Sequence, residues 1–288
     1  MKVTVFNMPT TGHVDPSLSL VAELVTRGHH VDYFLTLGYQ ERVEATGATY
    51  WETPIITDSY FDEVSRQFNP LRLTTQLLST TYELLPHLTG QLAEIDPAVI
   101  IYDSMCPWGN LSARLAGVPA VASMSLLELP PSYLLKSSQI GTALKLIPRF
   151  LPWLRPYRQA LRRLQEKYPY KLPKFPDILN WPGDLNISYT SAQINPESKR
   201  LGSSYIFVGP PLPTDASGIE FPFVELDPER PLIYISLGTV FNDNPTFFKE
   251  CIKAFSESNY QVVMSLGKRL SPAALGDFGR NGRRSPGL

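Results

Sequence analysis

The chain has 288 residues, 43% of them hydrophobic, and a formal net charge of −1. That length allows about two domains, the apolar share is too high for general disorder, and the balanced charge leaves no electrostatic footprint for nucleic acid. Cys106 and Cys251 are far apart and match neither a zinc nor a redox spacing, so the expected setting is reducing and cytoplasmic.

Met1–Asn7 reads as a strand without a basic n-region, so no signal peptide is expected. No apolar run reaches the roughly 18 residues of a membrane span. After the strand comes a polar loop, residues 7–14, that carries His13. Asp15-Pro16 reads as N-cap and first residue of a helix, with Leu18, Val21, Leu24 and Val25 at helical spacing and Gly28 at its end. HHVDYFL and ATYWE give a second and a third strand, which predicts a parallel doubly wound sheet. Residues 54–70 are an aromatic-bearing loop. Leu71 to Ile95 has a long helical pattern that Pro86 is expected to bend. Val99–Tyr102 is a fourth strand ending at Asp103, followed by a short helix closed by Gly117 and a strand over 119–123.

Residues 126–183 are rich in proline and predict short helices joined by kinks. Within them, 136–171 carry nine Lys/Arg and the single acid Glu166. This basic run reads either as a surface for anionic membrane or as the solvated faces of helices covering the sheet. The second reading is preferred, because prolines interrupt any long helix lying on a membrane. Two further strands precede a Pro-, Gly- and acid-rich stretch, 209–230, with the composition of a linker. The predicted division is a Rossmann-like domain over 1–208, the linker 209–230, and a second domain over 231–288. The second domain opens with the strand LIYIS, the loop LGTVFND and a helix capped by Asn244-Pro245.

Two places suit chemistry. In the order 3-2-1-4-5, strands one and four are neighbours whose connections leave in opposite directions, and ligands sit at their carboxyl ends. His13 follows strand one and Asp103 ends strand four. An aspartate on one ring nitrogen would fix the tautomer, and the other nitrogen would deprotonate a hydroxyl. The nearby helix N-terminus disfavours imidazolium, so His13 is expected to be neutral near pH 7. Taken singly, His13 also reads as a turn histidine and Asp103 as an N-cap for the helix near Pro107. The second place is 232–245, where Ser236, Gly238 and Thr239 precede a helix N-terminus that favours a phosphate; an ordinary βα turn has the same look. Neither GxGxxG nor GxxxxGK[ST] nor GxSxG is present.

The pieces NMPTTGHVDPSLSLVAELVTRGHHV, VIIYDSMCPWGNLSARLAGVPAV, YIFVGPPL and PLIYISLGTVFN, in this order, resemble the bacterial macrolide-type glycosyltransferases of the UDP-glycosyltransferase superfamily. The resemblance implies an α/β GT-B fold: a doubly wound acceptor-binding domain, then a second Rossmann-like domain that is incomplete here. It implies an inverting, metal-independent transfer of a hexose from a UDP-sugar co-substrate, with no further cofactor, to a small hydrophobic acceptor bearing a hydroxyl. His13 would be the base and Asp103 its orienting partner. Gly12, Ser236, Gly238 and Thr239 would meet the donor, and the acceptor pocket would draw on Phe61, Tyr82, Met124, Leu126 and Trp153. Further donor-site residues of the family would follow residue 276, so this chain is expected to bind UDP-sugar poorly and not to turn over. The non-enzymatic alternative is a binding protein for a hydrophobic small molecule.

Overall fold

Apolar side chains occupy both faces of the first strands, which a parallel sheet requires when helices cover both its sides. In the computed structural model, which describes residues 1–60, 69–125, 137–173, 179–196, 198–211, 221, 223–238, 242–267 and 270–276, β1 (Lys2–Phe6), β2 (His30–Leu35), β3 (Thr49–Glu52), β4 (Val99–Asp103), β5 (Ala120–Met124), β6 (Leu185–Ser188) and β7 (Tyr205–Phe207) form one sheet. Its order is β3-β2-β1-β4-β5-β6-β7, and every pairing is parallel. β1 and β4 are therefore neighbours, and the crevice where the order reverses opens at Phe6 and Asp103. The chain divides into two compact units, Met1–Leu212 and Pro213–Leu288.

The period-2 alternation of the strands sorts the helices. Val3, Val5, Val31, Tyr33 and Leu35 pack beneath α1 (Thr11–Thr26) and the short α2 (Gln40–Glu44), through Val14, Val21 and Val43. Phe6, Phe34, Ile100, Tyr102, Ala122 and Met124 face the other way, against α3 (Pro70–Ile95), α4 (Pro107–Ala116) and α5 (Ser137–Lys167). The caps follow the sequence. The Asn69 side chain accepts from the N–H groups of Leu71 and Arg72, and Pro70 takes the first helical position. Gly28, at φ +82°, closes α1.

Two sequence expectations are corrected. First, α1 begins at Thr11, with Thr10 as extended N-cap, so His13 lies in the first helical turn and Pro16 inside the helix. The buried positions Val14 and Ser17 draw the earlier turn onto the sheet, which outweighs the cap signal of Asp15-Pro16. Second, the proline-rich stretch holds one 31-residue helix, α5, with Pro148, Pro152 and Pro156 inside it. The spacing of four puts the three rings on one stripe, where the carbonyls left unpaired by Pro152 and Pro156 are those of Pro148 and Pro152 themselves. The remaining faces stay free to pack, and Leu164 is fully buried against α3. The described basic residues of α5 are exposed, in line with solvated faces on a helix whose apolar face covers the sheet, and two of them also lie over an aromatic ring. Arg163 lies 4.0 Å and Lys167 4.5 Å from the centre of the Tyr82 ring on α3. No helix among the described residues is long and apolar enough to cross a membrane.

α4 approaches β4 closely through Gly109. A Cβ there would meet Tyr102 Cβ and come within 3.4 Å of Phe6 Cβ. Gly109→Ala is expected to destabilise the first unit by about 1–3 kcal/mol, the usual range for overpacking. A lower denaturant midpoint at unchanged slope is the measurement. Because Tyr102 precedes Asp103, relief of the clash would also displace the crevice.

The second unit contains the parallel pair β8 (Leu232–Ser236) and β9 (Gln261–Ser265) and the helix α6 (Pro245–Phe255). Asn244 caps α6 by accepting from the Phe247 N–H. Phe248, Leu270 and Leu275 form its small core, with Ile235 and Met264 from the strands. Leu232 and Tyr234, at alternate positions of β8, are exposed.

Candidate active site

β1 ends at Phe6, and the next residue, Asn7, is buried. Its amide holds the turn. Nδ2 donates to Ser17 Oγ and Tyr33 OH, both at 2.9 Å, and lies 3.2 Å from the His13 carbonyl; Oδ1 accepts from the Met8 N–H. Ser17 passes its own hydrogen to the Val14 carbonyl and receives one from Tyr33, whose hydroxyl is raised well above its ordinary pKa by burial and stays neutral. This network fixes the first turn of α1 on the sheet, and His13 with it.

β4 brings Asp103 to the same place from 90 residues away. His13 Nδ1 donates to Asp103 Oδ2 at 2.7 Å. The Asp103 side chain is fully buried, while the His13 side chain keeps 16% exposure. Oδ1 of Asp103 accepts from the Met105 N–H at 2.9 Å. The cap of α4 is Cys106, so Asp103 is not an N-cap. The carboxylate faces the ring with one oxygen and is anchored to backbone by the other.

Burial lowers the pKa of the His13 ring, and the charge and hydrogen bond of Asp103 together raise it by more, so the balance lies above the ordinary 6.5. The helix N-terminus, from which a neutral His13 was expected, pushes the other way, and the contact carboxylate outweighs it. Cys106 and Tyr189, both within the field of Asp103, are held protonated by burial, Tyr189 up to about 12. Nδ1 of His13 is oriented by Asp103, and among the described residues Nε2 has no protein partner.

Ser125, just after β5, was not singled out from sequence. Its Oγ lies 2.8 Å from His13 Nδ1. The signal that could have found it is positional, since β5 neighbours β4 in the predicted order and its carboxyl end opens on the same crevice.

The other candidates are dispersed. Gly12 is exposed in the first turn of α1, whose leading N–H groups have no intrahelical acceptor. Met124 is buried at the end of β5, next to Ser125. Tyr82 lines a cleft of about 400 Å³ between α3 and α5, with Thr75, Ser79, Gln159 and Arg163. Trp153 lies under Arg72, 5.4 Å from its ring centre. Phe61, Leu126 and Thr239 lie outside the described residues. In the second unit, the exposed Ser236 accepts from the Gly238 N–H at 3.1 Å, and Gly238 has φ +76°. Asn242, just before α6, is buried and donates to the Gly238 carbonyl.

No family model matches the chain. It is 32% identical over 281 residues to the NDP-glycosyltransferase YjiC of Bacillus subtilis, covering 97% of this chain and 68% of that protein. It is 26% identical over 290 residues to the oleandomycin glycosyltransferase of Streptomyces antibioticus, covering 97% and 64% respectively. The crystal structure of CalG4, the calicheamicin glycosyltransferase, superimposes with a TM-score of 0.72 at 26% identity, over 97% of this chain and 69% of that one. With this sheet order and these relatives, the chain belongs to the macrolide-type family of bacterial nucleotide-sugar glycosyltransferases, of GT-B fold.

Proposed function

We propose that His13 is the general base of an inverting sugar transfer and that Asp103 orients it. The observation that carries this reading is the 2.7 Å contact between His13 Nδ1 and Asp103 Oδ2 at the switch point of the sheet. Nε2 takes the proton of an acceptor hydroxyl. The acceptor oxygen then bonds to the anomeric carbon as the bond from that carbon to the nucleotide diphosphate breaks, and the diphosphate leaves with the electron pair. Attack opposite to the departing group inverts the centre. Asp103 stabilises the imidazolium as it forms.

The proposed donor is a UDP-hexose, and the proposed acceptor is a small hydrophobic molecule with a hydroxyl. Support for the donor comes from the family, from the N–H groups opening α1 beside Gly12, and from the Ser236–Gly238 turn ahead of α6. Support for an apolar acceptor comes from Met124, which precedes Ser125, the residue whose hydroxyl meets the His13 ring. Domain limits of 1–208 and 231–288, with a linker between, are kept in this proposal.

Crystals soaked with a phenolic acceptor are expected to show its hydroxyl within hydrogen-bond distance of His13 Nε2. Density confined to the α3–α5 cleft would count against this placement. For this 288-residue polypeptide, calorimetric titration is expected to show UDP-sugar binding weaker than micromolar. Micromolar affinity needs about 8 kcal/mol, and each neutral hydrogen bond from the Ser236–Gly238 turn nets only about 0.5–1.5 kcal/mol. Tight binding would mean that residues other than these hold the donor.

A further inference from the structure

Nδ1 of His13 has two oxygen neighbours, Asp103 Oδ2 at 2.7 Å and Ser125 Oγ at 2.8 Å. They come from adjacent strands: β4 and β5 pair Asp103 with Ser123, and Ser125 lies two residues further on. We infer that Ser125 is a positioning residue, its hydroxyl oxygen accepting a share of the Nδ1–H so that the imidazole is pinned between two acceptors with Nε2 left bare.

The direction of the contact follows from the chemistry of the three groups. A ring nitrogen carries at most one hydrogen, and an ionised carboxylate can only accept. Two acceptors would not face each other at 2.7 Å, so the hydrogen between His13 and Asp103 is on Nδ1. With Nδ1 protonated, its lone pair is part of the ring's π-system, and Ser125 can meet it only as an acceptor. A single contact at Nδ1 would still let the ring swing about that contact. A second acceptor restricts the swing, and it doubles what is lost if the ring turns over and presents carbon instead.

The charged surroundings are simple. Asp103 on β4 is the charge that acts on the ring. Asp15, on α1 itself, is paired with Arg42 Nη2 at 2.6 Å. Tyr33 on β2, Tyr189 and Cys106 are held protonated by burial. Both His13 forms keep the Nδ1–H, and the hydrogen bond to Ser125 is stronger when the ring is charged. Removing Ser125 is therefore expected to lower the pKa of His13, in the same direction as removing Asp103 and by less.

The meaning of this inference for transfer rests on the base reading of His13, while its test does not require turnover. The 288-residue chain is labelled with 15N-histidine, which marks His13, His29, His30 and His87. The His13 signals are those lost in His13→Ala. Ring 15N shifts separate protonated from bare nitrogens, so they report the tautomer and, on titration, the pKa. The wild type is expected to hold the Nδ1–H tautomer. Ser125→Ala is expected to lower the His13 pKa by about 0.4 to 1 and to admit the other tautomer, and Ser125→Thr to restore both. Unchanged tautomer and pKa in Ser125→Ala overturn the inference. A raised pKa also overturns it, since the serine would then be donating to a bare Nδ1. If Ser125→Ala loses the fold, seen in the His87 signals, Ser125→Gly is read the same way. In a transfer assay, Ser125→Ala should lower kcat about three- to tenfold. Transfer that survives His13→Ala would sink the base reading and leave the tautomer result standing, so the two ideas fail separately.

Discussion

Replacing His13 by Ala is expected to abolish glycoside formation in a transfer-competent form of the chain, completed where needed by the part of YjiC with which it does not align. A positioned general base typically contributes about 10²–10⁴-fold, and that is the expected loss in kcat. Acceptor binding should survive, because the ring offers the acceptor one hydrogen bond while the rest of a small hydrophobic molecule is held by apolar contact. The pH dependence carries the same signature. A general base acts when neutral, so with His13 in that role kcat/KM is expected to rise with pH through its folded-state pKa. Because Asp103 raises that pKa above 6.5, the ascending limb is expected above 6.5. In His13→Ala the residual rate should lose the limb. A variant within a fewfold of wild type, still showing the limb, would remove His13 from the mechanism.

The pairing of His13 with Asp103 was legible in the sequence because it follows from topology. Each residue stands at the end of an apolar run of strand length, and the alternation of strands and helices makes the first and fourth strands neighbours. No property of either residue alone was needed. Ser125 was not singled out for a related reason: a serine after a strand is commonplace, and its value depends on the fifth strand lying beside the fourth. The start of α1 was misread because the signal was local. Asp15-Pro16 has the local look of a cap, yet the turn before it buries Val14 and is held by the Asn7 amide, a residue distant from the cap signal and silent in any pattern of periodicity.

The proline-rich stretch shows the converse error. Each proline in LIPRFLPWLRPY is a local helix breaker, and reading them one at a time yields kinked fragments. Their common spacing of four gathers the damage on a single stripe, and packing of the remaining face against α3 keeps α5 continuous. Tertiary burial and cation–π cover of Tyr82 decide a helix that propensity argues against.

Asp103→Asn keeps the shape of the side chain and loses its charge. The expected result is a fall in kcat approaching that of His13→Ala, with the ascending limb of kcat/KM moved to lower pH. The direction follows from the cause of the raised pKa. Burial of the ring works against the imidazolium, and the Asp103 charge and hydrogen bond overcome it; without them the burial remains and the pKa falls. The variant is thus neutral over a wider pH range yet slower, which separates having a neutral imidazole from having an oriented and stabilised one. The amide can also turn its NH2 toward Nδ1 and select the tautomer whose hydrogen sits on Nε2, where a base cannot use it. Stability should respond in step. A histidine whose pKa is raised by folding contributes stability that is full below its unfolded value of about 6.5 and is lost as pH rises through the folded value. The destabilisation by Asp103→Asn is therefore expected to be larger at pH 5.5 than at pH 9, measured by denaturant midpoints. Residues that act as a unit are not additive, so His13→Ala combined with Asp103→Asn should be little slower than His13→Ala alone. If the two substitutions instead multiply, Asp103 acts on the reaction by a route that does not pass through the ring of His13.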